Sequence, residues 1–201
     1  MEIPRCGTCS GEREPILLKW VVLAFRFRPD SPLAPKFARI LMIMTKIKLT
    51  SNKLLKKLGI YLFLKGINRV EYLNLCKDYS KNIETNALYS EFNFSKNEKI
   101  YILSASFKHY IAPLFPKKVT VIGSDLKFKN DIIQDLLYNC FGVVKYNIFI
   151  EKFSPYIDIL YTDSKSDKYL AKIASSIKII NGDNIYTCNS FKEFKQYFKI
   201  W

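Results

Sequence analysis

Two aspartates follow an apolar run that has the length of a buried strand. The run ends at Thr162, and Asp163 and Asp167 then stand four residues apart with Ser164 and Ser166 between them. Carboxylates that a strand carries into a loop are suited to holding a hard cation such as Mg²⁺. A cation held in this way commonly serves a reaction, so the sequence must be searched for the group that would react.

Two more residues fit chemistry on a phosphoryl group. Ser104 follows an apolar run, and Lys145 stands where a helix is predicted to begin. Phosphoryl transfer uses a hydroxyl and an ammonium on the phosphoryl oxygens, and carboxylates that hold Mg²⁺. Singly, each residue has an ordinary structural explanation as a turn serine, a solvated lysine or a helix cap. Together and in this order they indicate a phosphoryl site.

The second half of the chain alternates between short apolar runs and helical stretches. The runs predict strands at 100–106, 119–125, 157–163 and 177–181. The stretches between them predict helices at 107–115, 131–140, 144–153 and 167–176. Strands that alternate with helices favour a parallel sheet, whose functional site lies beyond the carboxyl ends of its strands. Ser104, Ser124 and Asp163 all lie at such ends.

The first half is predicted to be largely helical. One helix fits residues 36–48, a second begins at Ser51 or Thr50 as N-cap and ends before Gly66, and a third fits 69–82. The apolar stretch 16–25 is interrupted by Lys19 and is too short to span a bilayer. We therefore expect no transmembrane segment there, and interpret the stretch as a buried strand or core helix.

The net charge of +14 is compatible with nucleic acid or an anionic lipid surface as partner. The lysines are scattered, however, and none of their groups has the aromatic spacing of a nucleic-acid module, so no specific nucleic-acid partner is expected. The five cysteines are odd in number and widely spaced, which argues against a disulfide framework and favours the cytoplasm. Cys6 and Cys9 form only half of a zinc-ribbon pattern.

The first 40 residues differ in composition from the rest. They contain five of the six arginines and five of the eight prolines, but only two lysines and no asparagine. Two interpretations remain open. The segment is either a proline-rich arm or a stretch with a different coding history, such as a fusion or a damaged 5′ end.

Three motifs resemble the haloacid dehalogenase (HAD) superfamily when taken in order. They are 103-LSAS-106, 139-NCFGVVK-145 and 161-YTDSKSD-167, the last followed by KYLAKIA and NGD. The chain is most similar to the subfamily IB hydrolases, which are phosphoserine-phosphatase-like, and residues 48–76 resemble their helical cap. The resemblance implies an α/β fold, with a HAD-like Rossmannoid parallel sheet, an incomplete first strand and a helical cap. It also implies three segments: 1–39 as an atypical N-terminus, 40–95 as the cap and 96–201 as the core.

The resemblance implies a role for each motif residue. A hydrolase of this family forms an aspartyl-phosphate, which water then hydrolyses with Mg²⁺ as cofactor. Ser104 and Ser106 would bind the phosphoryl group of a small phosphorylated molecule, and Lys145 would pair with both that group and the nucleophile. Asp163 would hold Mg²⁺, and Asp167 would support the metal site.

The family's nucleophile, in an Asp-x-Asp signature before the cap, is missing. Residues 1–50 contain only one aspartate, Asp30, and Arg26 and Arg28 stand where the signature would fall if 21–25 is the first strand. Three functions remain open. The chain is a Mg²⁺-dependent phosphomonoesterase whose copy is truncated or inactive, a pseudoenzyme that binds a phosphorylated ligand or a partner, or a basic binder of nucleic acid or anionic lipid.

Overall fold

The computed structural model describes residues 51–83 and 99–200. The predicted helix at 36–48, the stretch 16–25, Asp30 and the pair Cys6 and Cys9 lie outside the described residues. Within the described ranges, no helix is both long enough and apolar enough to cross a bilayer.

The helical segment has two helices. Helix α1 spans Asn52–Gly59 and continues as a π-helical turn over Ile60–Leu64, and α2 spans Arg69–Ser80. The predicted N-cap is confirmed, because the side chain of Ser51 accepts a hydrogen bond from the amide of Leu54 at 3.2 Å. The chain turns at Gly66, whose φ of 90° is one that residues with a side chain rarely adopt.

The first sheet has three strands in the order β1-β2-β3, which span Tyr101–Phe107, Thr120–Lys129 and Ile132–Tyr138. β1 and β2 are parallel, whereas β2 and β3 are antiparallel. A short helix α3, Lys108–Ile111, and a 3-10 turn, Ala112–Leu114, lie between β1 and β2.

The second sheet repeats this arrangement in the order β4-β5-β6. Its strands span Ile157–Thr162, Ala174–Asn181 and Asn184–Cys188, with the first pair parallel and the second antiparallel. Helix α4, Val143–Lys152, precedes β4. A 3-10 turn at Lys165–Asp167 and helix α5, Lys168–Ala171, connect β4 to β5, and α6, Phe191–Tyr197, follows β6.

The predicted α/β fold with parallel strand pairs is therefore confirmed, but two predicted helices are wrong. The stretch 131–140 forms strand β3, because Asn130 and Asp131 both adopt positive φ and close a two-residue hairpin. The stretch 167–176 is helical only to Ala171, and strand β5 begins at Ala174. Strand β6 and helix α6 were not predicted, and β6 follows a hairpin at Gly182, where φ is 62°.

The buried apolar side chains form two clusters that meet at the first sheet. One cluster joins the helical segment to β1, β2 and β3, and includes Leu55, Tyr72 and Ile133. The other lies around the second sheet, but it also takes in Leu103 of β1 and Ile122 of β2. The first sheet thus contributes buried side chains to both clusters, one shared with the helical segment and the other shared with the second sheet.

Gly123 permits a close approach at the carboxyl end of β1. A Cβ on this residue would lie 2.7 Å from both the carbonyl oxygen of Ser106 and the amide nitrogen of Lys108. The β1–β2 register shifts between Leu103 and Phe107, so the end of β1 folds over β2 at this glycine. Any larger residue would push the end of β1 away from Ser124, the next residue of β2.

Candidate functional site

Lys145 and Asp167 form a buried ion pair. Lys145 lies in the first turn of α4, and its Nζ donates to Oδ1 of Asp167 at 2.7 Å. The side chains are 2% and 0% exposed, so neither charge is solvated by bulk water. A buried pair of this kind persists only when its remaining hydrogen-bonding capacity is also satisfied.

The loop after β4 satisfies the remaining hydrogen-bonding capacity of Asp167. The hydroxyl of Thr162 donates to Oδ2 of Asp167 at 2.7 Å, and the amide of Ser164 donates to the same hydroxyl at 3.1 Å. Ser164 in turn accepts from the amide of Ser166 at 3.2 Å, and the two serine hydroxyls lie 2.8 Å apart. The loop is therefore a closed turn of hydroxyls around Asp167, with both carboxylate oxygens hydrogen-bonded.

The two predicted metal residues, Asp163 and Asp167, differ in their surroundings. Asp163 is half-buried directly after β4, whereas both oxygens of the buried Asp167 are engaged by Lys145 and Thr162. Asp163 thus fits a carboxylate that contacts Mg²⁺, and Asp167 fits one that holds the surrounding groups in place. Residues 51–83 and 99–200 contain no cluster of three or more histidine, cysteine or acidic side chains that could hold a metal alone. The assignment of both aspartates to a metal stays a prediction.

Ser106 lies next to the carboxyl end of β1, but Ser104 lies in the middle of this strand, and Ser124 lies in the middle of β2, because both strands run further than the sequence suggested. The hydroxyl of Ser104 accepts a hydrogen bond from the amide of Ser106 at 3.1 Å, and Ser106 is buried. This bond fixes the Ser104 hydroxyl against the backbone of its own strand. The role of Ser104 and Ser106 in binding a phosphoryl group also stays a prediction.

Lys56 was missed by the sequence analysis. It projects from α1 and is only 3% exposed. Its Nζ donates to the hydroxyl of Ser124 at 2.9 Å, and also to the carbonyl of Ala105 and the side-chain oxygen of Asn139. These acceptors come from the end of β1, from β2 and from the loop before α4, so a single lysine joins three elements around the predicted site.

The surroundings of Lys56 depress its basicity. The pKa of Lys56 is lowered to about 7, mainly by burial, with a smaller lowering by repulsion from Lys145 and an opposing contribution from the thiolate form of Cys140. No signal in the sequence separates Lys56 from its neighbour Lys57, which is 45% exposed and lies 3.3 Å from Asp135.

A second polar cluster is centred on Asp125, the residue of β2 that directly follows Ser124. Asp125 contacts Lys108 and lies 3.4 Å from Nε2 of His109, and the other ring nitrogen lies 3.5 Å from the hydroxyl of Tyr72. Burial lowers the pKa of His109 to about 4, against the attraction of Asp125. Burial also raises the pKa of Tyr72 well above its usual value. Because Tyr72 is fully buried, this cluster has no accessible hydroxyl and packs α2 onto the sheet.

A cavity of about 250 Å³ lies elsewhere, between α1, the π-helical turn and β3. Lys57, Tyr61, Lys65 and Asp135 line it, and none of the predicted site residues does. The predicted site residues lie instead in β1, in the first turn of α4 and in the loop after β4.

No protein-family model and no curated protein matches the chain. Among solved structures, a protein of unknown function from Bordetella pertussis Tohama I has a TM-score of 0.65 at 14% identity, over 92% of this chain and 89% of that one. Cytosolic 5'-nucleotidase IIIB bound to cytidine has a TM-score of 0.42 at 13% identity, over 83% of this chain and 58% of that one. The likeness to the Bordetella protein shows that the two chains share an overall α/β fold.

Proposed function

We propose that the chain has the site of a HAD-type phosphatase, which binds the phosphoryl group of a small phosphorylated molecule together with Mg²⁺, without steady turnover. The observation that carries the proposal is the buried group of Lys145, Asp167 and Thr162. Three motifs that are separated in the sequence supply a lysine, a carboxylate loop and, with Ser104, a hydroxyl in strand β1. These are the groups that phosphoryl binding requires.

Each residue then has a defined task. The ammonium of Lys145, oriented by Asp167, provides positive charge for the phosphoryl oxygens, and Ser104 donates a hydrogen bond to them. Asp163 would hold Mg²⁺, which offsets the charge of the phosphoryl group when it is bound. Among the described residues, Asp163 is the carboxylate that fits this contact. A single carboxylate ligand holds Mg²⁺ weakly, so we expect weak metal binding.

Turnover is not expected, because the sequence lacks the family's attacking carboxylate. Residues 1–50 contain no Asp-x-Asp, and losing a covalent nucleophile removes nearly all activity from enzymes of this type. A pseudoenzyme that binds phosphorylated ligands has the same expected behaviour. The retained Lys145, Asp163 and Asp167 favour binding over a scaffold that has lost all function.

The test combines binding and turnover. Titration of the protein with inorganic phosphate in the presence of Mg²⁺ should give measurable binding, which Asp163→Asn should weaken and Lys145→Met should abolish. Lys152→Met, an exposed change on the same helix, is the matched control and should bind as the unmodified protein does. No steady hydrolysis of p-nitrophenyl phosphate should be seen.

Two outcomes would overturn the proposal. Equal phosphate affinity in the Lys145→Met and Lys152→Met variants, both shown to be folded by circular dichroism, would show that Lys145 does not bind the phosphoryl group. Robust Mg²⁺-dependent hydrolysis that disappears in Lys145→Ala would show that a carboxylate elsewhere attacks, and Asp30 would be the first residue to replace.

A further inference from the structure

Among the residues that the structure describes, the ammonium of Lys56 is held by uncharged oxygens alone. Its acceptors are the carbonyl of Ala105, the hydroxyl of Ser124 and the amide oxygen of Asn139, and the ring of Phe107 lies 5.8 Å from its Nζ. Lys145, by contrast, has the carboxylate of Asp167 at 2.7 Å. A buried cation without a carboxylate is costly to keep charged, because burial removes its hydration and nothing neutralises it.

Lys56 also lies at the edge of the proposed phosphoryl site. Its acceptor Ala105 directly follows Ser104, and its acceptor Asn139 begins the loop that leads to α4 and Lys145. Repulsion from Lys145 makes a small contribution to the lowered pKa of Lys56. An anion bound between Ser104 and Lys145 would therefore place negative charge where Lys56 now meets only neutral dipoles and a second cation.

No carboxylate of residues 51–83 or 99–200 is paired with Lys56. From β2, Asp125 is directed to Lys108 and His109. From α4, Lys145 repels Lys56, and in the preceding loop Cys140 would attract it only as a thiolate. On α1 itself, Lys57 pairs with Asp135 at the surface.

We propose that Lys56 is the proton-coupled positioning residue of the phosphoryl site: it takes up a proton when a tetrahedral dianion binds beside Lys145, and so couples anion affinity to pH. The proposal rests on the proposed function. All three ammonium hydrogens are used by protein acceptors, so Lys56 acts through its charge and through the three elements that it joins, without direct contact with the ligand.

The size of the coupling follows from linkage. Lys56 is half-protonated near pH 7 in the free protein and is fully protonated in the proposed complex. Above pH 7 the protein must therefore take up a proton when the anion binds, and this lowers the affinity for the anion. Between pH 6 and pH 8 the affinity for a dianion should fall about tenfold if the complex keeps the proton through pH 8. Below pH 6 the affinity should level off, because Lys56 is already charged.

Sulfate is the suitable probe, because it stays a dianion over this range whereas inorganic phosphate itself titrates. Its dissociation constant would be measured by calorimetry at constant ionic strength from pH 6 to pH 8, in buffers with different ionisation enthalpies. The unmodified protein should show the tenfold loss and, near pH 8, an uptake approaching one proton per bound sulfate.

Three variants isolate the lysine. Lys56→Met should bind sulfate more weakly at pH 6 and with no pH dependence. Lys56→Arg stays charged at every pH and should also remove the slope, while retaining affinity at pH 8. Lys57→Met, a change at the exposed neighbouring lysine, should retain the slope of the unmodified protein.

The outcomes separate this inference from the proposed function. If sulfate binds, is lost in Lys145→Met, and yet keeps its pH slope in folded Lys56→Met and Lys56→Arg, the phosphoryl site stands and the role of Lys56 is refuted. A flat profile in the unmodified protein also refutes it. If neither sulfate nor phosphate binds the unmodified protein at any pH, the proposed function itself fails.

Discussion

The two buried lysines in the described part of the chain are held in opposite ways. Lys145 is neutralised by a carboxylate and lies within a closed turn of hydroxyls, whereas Lys56 rests on three neutral oxygens from three different elements. The carboxylate of Asp167 lies 2.7 Å from the ammonium of Lys145, while burial is the main cause that lowers the pKa of Lys56 to about 7. The two lysines thus differ in whether a carboxylate lies beside them.

Breaking the ion pair should have the largest effect on stability. Lys145→Met leaves Asp167 buried at 0% exposure without its ammonium, which should cost about 3–5 kcal/mol of unfolding free energy. Urea denaturation at pH 7 measures this cost, with Lys152→Met as a surface control expected within about 0.5 kcal/mol. The double variant Lys145→Met/Asp167→Asn should recover part of the loss. A cost of less than about 1 kcal/mol would show that the pair is not buried as described.

Gly123→Ala should have the next largest effect, because the added methyl group would push the end of β1 away from β2, and Lys56 donates hydrogen bonds to both strands. The new Cβ would stand 2.7 Å from backbone atoms of Ser106 and Lys108, and relieving this overlap should cost about 1–3 kcal/mol. The matched control is Gly59→Ala in helix α1, where a Cβ meets nothing within 4 Å and alanine should stabilise by about 1 kcal/mol. Equal effects of the two changes in thermal unfolding would contradict the close approach at Gly123.

Taken over a single pH unit, the smallest effect is the pH dependence of stability that Lys56 contributes. Because the pKa of Lys56 is lowered from 10.5 to about 7 in the folded protein, the unfolded chain binds more protons between these values, and stability should rise with pH across this window. The slope from this group is at most about 1.4 kcal/mol per pH unit. The difference in unfolding free energy between the unmodified protein and Lys56→Met should increase with pH by this slope. Lys57→Met should change the unfolding free energy by less than about 1 kcal/mol at any pH. An unchanged slope in Lys56→Met would contradict the lowered pKa.

The sequence predicted local elements well where the pattern was long or capped. The Ser51 cap, helices α1, α2 and α4, and the runs that became β1, β2, β4 and β5 were all found in this way. The error at 131–140 arose because its apolar spacing suits a helix as well as a strand. The deciding signal was the pair Asn130 and Asp131, which can adopt the positive φ of a hairpin.

What the sequence by itself determined is the order of the strand ends and the side chains placed there, since apolar runs and their polar ends are local properties. Tertiary structure alone decided the pairing of Lys145 with Asp167 and the burial of Lys56. In 53-KLLKKLG-59, Lys56 and Lys57 are chemically identical neighbours, and only packing sends one inward to acceptors at 105, 124 and 139 and leaves the other at the surface. Contacts across 49 to 83 residues leave no local pattern, because they depend on how complete elements pack together.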